Sequence, residues 1–262
     1  MAARKLLRRT GRDRAGRFLV EGAQAVREAL AGDCTVHELF VTAAAAQRHP
    51  ELLESARSAG IPIVLVTDRA ADTLSDTVTP QGLVAVCDLL DVPVRSALDG
   101  ALAVPHPLVT VLVGVADPGN AGTVIRVSDA AGAGAVLLAG DTVDPYNGKA
   151  VRASTGSVFH VPLARKRDAG EVLDACRAAR LTVLAADGHG ELDLHDPDAV
   201  AILAEPAAWV FGGEAHGLPR ELSARADHRV RVPLYGRAES LNLATAAAVC
   251  LYASAAAARS RR

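Results

Sequence analysis

The feature that most constrains this chain is an alternation. From about residue 109 onward, short apolar runs of strand length trade places with longer segments of helical spacing. Val109 to Val115 reads as a strand of the kind buried on both faces. Further strands are predicted at Ala135 to Ala139, Val158 to Leu163, Leu181 to Ala186, Ala208 to Phe211 and Val230 to Val232. Helices are predicted at Ala121 to Ala131, near Ala150, and at Ala169 to Ala179, Pro219 to Arg225 and Leu241 to Ala258. Repeated βα units give a mostly parallel sheet covered by helices. Ligands in such sheets sit beyond the carboxyl ends of the strands. The turns after Val115, Ala186, Phe211 and Val232 are therefore where chemistry is to be sought.

The residues before this block carry a pattern of their own. A short extended start and a helix fill Arg17 to Leu30, strands fall at Val36 to Val41, Ile61 to Val66 and Gly82 to Cys87, and helices at Pro50 to Ala59 and Thr67 to Leu74. This predicts a small α/β domain over residues 18–90. Residues 91–107, with Pro93, Pro105 and Pro107, read as a linker holding a short helix near Arg95 to Leu102, and residues 108–262 as the second domain. The first 17 residues carry Arg4, Lys5, Arg8, Arg9, Arg12, Arg14 and Arg17 against Asp13 alone, a balance of +6. The total is −2, so the rest of the chain sums to −8. A basic arm on an acidic body points to a polyanion partner, with a solvated terminus as the plain alternative.

Composition excludes several classes. With 50% hydrophobic and 22% charged residues the chain is globular rather than fibrous or disordered. Four scattered cysteines without a CxxC pair predict neither a zinc cluster nor a disulfide framework, and no metal is expected. No apolar segment follows the basic start, so no secretory signal is expected, and the cytoplasm is the expected compartment. Leu241 to Ala258 is uncharged, but its alanine content and its Asn242, Thr245 and Ser254 favour a buried helix over a membrane span. Only eight residues are Phe, Tyr or Trp, so no base-stacking platform is evident.

Three turns carry candidate chemistry. The first reads Asp117-Pro118-Gly119-Asn120-Ala121-Gly122-Thr123, with Arg126 on the following helix. Asn120 can cap that helix and could converge with Arg126 at the mouth of the sheet. The second reads Gly212-Gly213-Glu214-Ala215-His216-Gly217-Leu218, where glycines permit close approach of a ligand to the backbone. The third runs from Val232-Pro233-Leu234 through Gly236 to Glu239-Ser240-Leu241-Asn242. Ser240 is a natural N-cap for the last helix, and Asn242 falls in its first turn. Taken singly, each turn also reads as ordinary capping or a solvated loop. Gly132-Ala133-Gly134 precedes a strand, the reverse of a dinucleotide fingerprint, and Asp187-Gly188-His189-Gly190-Glu191 reads as a flexible loop.

Together, DPGNAGTVIR, FGGEAHGL and VPLYGRAESLNLATA resemble the three motifs of the SpoU (TrmH) family of RNA 2′-O-ribose methyltransferases, in the SPOUT superfamily. The resemblance covers roughly residues 108–258, and Asp144 to Leu163 shares it. The leading segment, with RFLVEG at Arg17 to Gly22, is similar to the ribosomal-protein-like RNA-binding domain often fused in front of that family's domain. The resemblance implies a parallel sheet with a C-terminal trefoil knot, S-adenosylmethionine as cofactor, and a homodimer with the last helix in its interface. It implies cofactor contacts from Gly212, Gly213, Val232, Leu234, Ser240, Leu241 and Asn242. It implies catalytic roles for Arg126, Asn120, Glu214, Ser240 and Asn242, with Asn120 orienting Arg126, and Glu214 holding Arg126 or the substrate. The implied substrate is RNA, met by Arg126 and the arm residues, with ribosomal RNA favoured over transfer RNA. An inactive RNA-binding protein on the same fold is the rival reading, and a dinucleotide-dependent enzyme on an ordinary doubly wound sheet is a second.

Overall fold

The computed structural model describes residues 2–260. Met1, Arg261 and Arg262, which end the expected arm and second domain, lie outside the described residues. The chain forms two compact units. Unit 1 takes the chain as far as Leu90 together with Asp144–His160, and unit 2 takes Asp91–Val143 and the chain from Val161 on.

Unit 1 is built on a four-stranded sheet of β1 (Arg17–Glu21), β2 (Val36–Thr42), β3 (Ile63–Val66) and β4 (Leu83–Asp88), in the order β1-β4-β2-β3. The two pairings of β4 are antiparallel, and β2 pairs with β3 in parallel. Alternation splits its side chains between two faces. Leu19, Phe40, Val84 and Val86 join Ala3, Leu6 and Leu74 in one core. Phe18 points the other way and meets Tyr146 and Phe159, with ring centroids 4.8 and 6.1 Å away. Residues 144–160 thus cover one face of this sheet.

That packing explains one departure from expectation. Val158 to Leu163 is not a strand: Ser157–Phe159 is a 3₁₀ turn and the strand is Leu163–Lys166. The apolar run spans the end of the Asp144–His160 segment, so its residues are buried in different cores and share no ladder.

The arm is also folded. Ala2–Leu7 is a 3₁₀ helix and Arg9–Ala15 an α-helix closed by Gly16 in the left-handed region (φ 64°). Arg12 is buried (3% exposed). Its Nε donates to Asp144 at 2.8 Å, and its Nη1 donates to the Leu6 and Leu7 carbonyls. A buried guanidinium with its donors used inside the protein is not presented to RNA. Arg4, Lys5, Arg8, Arg9, Arg14 and Arg17 are exposed.

Unit 2 carries seven parallel strands: β5 (Leu108–Val113), β6 (Ala135–Ala139), β7 (Leu163–Lys166), β8 (Thr182–Ala186), β9 (Leu192–Asp193), β10 (Ala207–Gly212) and β11 (His228–Arg231). Their order is β7-β6-β5-β10-β8-β11-β9. Val109, Val111 and Val113 of β5 pack with the helices Val94–Leu102 and Ala169–Ala178 through Ala97, Leu98, Ala101, Val172, Leu173 and Cys176. Residues 91–107 are therefore no free linker, since their helix completes this core. On the opposite face Thr110 bonds Ser128 of the helix Pro118–Ala131, at 2.8 Å between hydroxyls. There too the Trp209 indole donates to Ser254 of the helix Leu243–Ser260 at 2.9 Å. Both faces are covered, which is the usual setting of an all-parallel sheet. Leu243–Ser260 has the length and hydropathy of a membrane span, and it buries Ala244, Ala247, Cys250, Leu251, Ser254, Ala255 and Ala257.

Candidate active site

The strand order reverses between β5 and β10, so the turns leaving these two strands flank a crevice at the carboxyl end of the sheet. Gly114 ends β5 with φ 63°, and a Cβ on Gly213 would lie 2.4 Å from its carbonyl oxygen. A Cβ on Gly212 would lie 2.1 Å from the Gly217 carbonyl carbon. Gly213 lets the two loops close on each other and Gly212 lets the second fold back on itself, which fixes Glu214 over the start of the helix Pro118–Ala131.

That helix is capped by Asp117, whose carboxylate accepts from the Asn120 backbone N–H at 2.8 Å. Pro118 fits its first turn because it lacks the donor that position would leave unpaired. The cap is therefore Asp117 and not the expected Asn120, which leaves the Asn120 side chain available. Its Nδ2 donates to Glu214 Oε1 at 2.8 Å, and its Oδ1 accepts from Asn242 Nδ2 at 3.0 Å. Asn242 Oδ1 accepts from the backbone N–H groups of Ala244 and Thr245, at 2.9 and 3.3 Å. Asn242 is thus the cap of the last helix, a role expected of Ser240.

The polarity of this chain of bonds is forced. Helix N–H groups only donate and an ionised carboxylate only accepts. The donors therefore run from the helix start through Asn242 and Asn120 to Glu214; turning Asn120 over would break two bonds, and turning Asn242 over three. The Glu214 carboxylate also accepts from the Ala116 and Asp117 N–H groups at 3.3 and 3.4 Å. Burial pushes its pKa up, but the bonds from Asn120 and these backbone groups outweigh that, and the carboxyl is held below its ordinary value.

Arg126 is exposed on the same helix, about 120° around the axis from Asn120. Asn120 turns both ends of its amide to Glu214 and Asn242 rather than to Arg126.

A cavity of about 460 Å³ lies beside these turns, within the range of small-molecule sites. Its wall includes Val232, Leu234, Ser240 and Leu241 among the residues expected to touch a cofactor. Gly212, Gly213 and Asn242 are not on it: the glycines serve loop closure and Asn242 the hydrogen-bond chain. Ala186, Asp187, Gly188 and Arg231, outside the three motifs, also line the cavity, as do Pro233, Glu239 and Ala246 of the third motif, which are not among the expected cofactor contacts. The available signal is the position of Asp187 and Gly188 just after strand β8. Asp187 is fixed by the Ser223 hydroxyl, donating at 2.9 Å, and by the His189 N–H at 2.9 Å. Apolar walls with Asp187, Glu239, Arg231 and Ser240 at hand suit a small ligand with an apolar part and charges of both signs. A larger cavity of about 800 Å³, between the helices Val94–Leu102 and Ala169–Ala178, holds none of the predicted residues.

Comparison with known proteins identifies the family. The SpoU rRNA Methylase family matches residues 107–252, and the MRM3-like substrate binding domain matches residues 1–85. The chain is 34% identical to the 23S rRNA (guanosine(2553)-2′-O)-methyltransferase RlmP of Bacillus subtilis strain 168, over 95% of this chain and 92% of that one. It is 33% identical to a 23S rRNA (uridine(2479)-2′-O)-methyltransferase of Streptomyces viridochromogenes, over 93% and 84% of the two chains. The structure of the SpoU methyltransferase AviRb from Streptomyces viridochromogenes with the cofactor AdoMet superposes with a TM-score of 0.83 at 31% identity, covering 99% of this chain and 96% of that one. This chain belongs to the SpoU rRNA methylase family.

Proposed function

We propose that this protein transfers a methyl group from S-adenosylmethionine to a ribose 2′-hydroxyl of ribosomal RNA. The observation that carries the reading is the directed chain Asn242–Asn120–Glu214, which ties three turns together beside the cavity. The two relatives named above act on guanosine and uridine in 23S rRNA, which supports a ribose reaction indifferent to the base.

The residues of the cavity that would hold the cofactor are Val232, Leu234, Ser240, Leu241, Asp187 and Glu239. When bound, S-adenosylmethionine supplies a methyl group already activated on a sulfonium. What remains for the chain is alignment of the hydroxyl and help with its proton. A guanidinium carries five N–H donors and no acceptor, so Arg126 serves as a cation rather than a base. It lowers the cost of the developing alkoxide, whose proton passes to solvent water, and anchors the neighbouring phosphate. Glu214 stays ionised and, through Asn120 and Asn242, holds the first and third turns in register. Ser240 meets the cofactor side of the site.

Arg4, Lys5, Arg8, Arg9, Arg14 and Arg17 supply phosphate contacts from unit 1. The last helix forms the contact of a homodimer, through exposed positions such as Thr245, Tyr252 and Ala256. The C-terminal part is threaded as a trefoil knot, and the enzyme works in the cytoplasm, where its RNA is made.

The test is methyl transfer from tritiated S-adenosylmethionine to total RNA of a host lacking this gene, followed by size fractionation and digestion to nucleosides. Label as a 2′-O-methylnucleoside in large ribosomal RNA is expected. Arg126→Ala should lower the rate by about 10²–10³-fold, the usual cost of losing an electrostatic stabiliser. Label in the transfer RNA fraction would overturn the substrate. Cofactor binding without any label would favour an inactive RNA-binding protein.

A further inference from the structure

The chain has eight aromatic residues, and the structure buries Phe18, Phe40, Tyr146, Trp209 and Phe211. Tyr235 stands apart at 84% exposure. Its position is set by strand register. Strands β9 and β11 pair in parallel, with Leu192 opposite Val230 and Asp193 opposite Arg231. The residues that follow each strand therefore leave the sheet side by side. Beyond β9 comes His195, whose N–H is held by the Asp193 carboxylate at 2.9 Å; Asp193 in turn pairs with Arg231. Beyond β11 comes Tyr235, directly after Val232, Pro233 and Leu234 of the cavity wall.

The two rings meet edge to edge. Their planes differ by 13°, their centroids are 6.3 Å apart, and the Tyr235 hydroxyl is 3.0 Å from His195 Nδ1. Rings covering each other's faces could not bring those edge atoms so close at that centroid distance. The pair is an open plate, anchored at one rim and unblocked on its faces, beside the mouth of the cavity. An apolar ring kept in water at such a place has a use: every nucleobase has a π-face, and single-stranded RNA is held by stacking on aromatic side chains.

We infer that Tyr235, steadied by His195, is a positioning residue that stacks on an RNA base and so sets the ribose at the cavity mouth. The inference rests on the reading of this site as an RNA ribose methyltransferase. It also amends the expectation that the chain has no stacking platform: the plate needs just one exposed tyrosine and a neighbouring imidazole.

The experiment is initial rates against concentration of unmodified ribosomal RNA from a host lacking this gene, with S-adenosylmethionine affinity by calorimetry and molecular mass by sedimentation on the same samples. Tyr235→Leu should raise KM for RNA about tenfold, in the range that one stacked base contributes. It should leave cofactor affinity and mass as in the parent and change kcat much less than KM. Tyr235→Phe and Tyr235→Trp should bring KM back to within about threefold of the parent, because the ring makes the stack and the hydroxyl only anchors it to His195. His195→Ala should raise KM about threefold by freeing the tyrosine. A parental KM in Tyr235→Leu overturns the inference, as does a Tyr235→Phe as weak as Tyr235→Leu. A loss of cofactor affinity instead would put Tyr235 in the cofactor wall, and a change of mass would put it in a subunit contact. A parent chain that binds S-adenosylmethionine but labels no RNA overturns the underlying reading and this one with it.

Discussion

Arg12 in unit 1 and Glu214 in unit 2 each anchor a network, but one network is sealed and the other open. The Arg12 and Asp144 side chains are each 4% exposed and meet at 2.6 Å, with the Leu6 and Leu7 carbonyls taking the Nη1 donors. Nearby, Glu21 is 8% exposed and holds Arg152 at 3.0 Å. In unit 2 the carboxylate of Glu214 is exposed, and it accepts from the Asn120 amide, itself bonded to Asn242, and from the Ala116 and Asp117 N–H groups at the start of a helix. A sealed pair fixes architecture, because breaking it strands a charge away from water. An open chain fixes relative positions while leaving its groups within reach of a ligand. Charge alone does not distinguish the two; exposure and partners do.

The largest effect is expected where the sealed network is broken. Arg12→Ala leaves Asp144 buried without its partner and should cost about 3–5 kcal/mol in urea unfolding. Arg12→Met with Asp144→Leu should regain most of that, since apolar replacement of a buried pair is often near neutral. Equal losses for the single and the double variant would mean that the pair is not sealed, and the contrast between the units would weaken.

The open network should fail in function before it fails in stability. Glu214→Gln keeps the shape but offers one acceptor oxygen where two stood, and turns an NH₂ toward N–H donors. Single-turnover methyl transfer should fall by about 10–100-fold, as expected for about 1.5–3 kcal/mol of hydrogen bonding to a charged group. The melting temperature should move by only a few degrees. A large loss of stability with transfer intact would make Glu214 a structural residue like Arg12.

The same contrast governs the basic arm. Removing residues 1–17 would take Arg12 with it and unfold unit 1, so truncation is a poor test of RNA contact. Replacing the exposed Arg4, Lys5, Arg8 and Arg14 by Gln should leave stability unchanged. It should flatten the salt dependence of RNA binding, by up to about 0.9 in log–log slope for each phosphate that is no longer neutralised. An unchanged slope would assign these four to a solvated face.

Much of unit 2 is legible from residues alone, because a strand buried on both faces leaves an apolar run that no loop imitates. Val109 to Val115, Ala135 to Ala139 and Ala208 to Phe211 each mark a strand to within a residue or two. Caps are harder. Asp117 and Asn120, or Ser240 and Asn242, are equally able to cap by residue type, and the choice depends on partners brought in from 94 and 122 residues away. Val158 to Leu163 misleads because apolar character records burial and not which core supplies it. Asp187 reads as part of a flexible loop, since its place on the cavity wall follows from β8 lying between β10 and β11. Arg12 shows the same limit: nothing in a run of arginines marks the one that turns inward to Asp144.

The smallest effect concerns pH. The Glu214 carboxyl has a lowered native pKa, because N–H donors favour its charged form more than burial disfavours it. Protonation is therefore harder in the folded state than in the unfolded one. The stability this supplies is complete above the ordinary value of 4.5 and drains away as pH falls through the lowered native value. The melting-temperature gap between the parent and Glu214→Gln should then be flat from pH 6 to 8 and should narrow only below about pH 4.5. A gap that changes between pH 6 and 8 would mean that another titrating group couples to the chain of amides. A gap that widens in acid would mean that burial, and not the donors, sets this carboxyl, and that the open network is less polar than its hydrogen bonds describe.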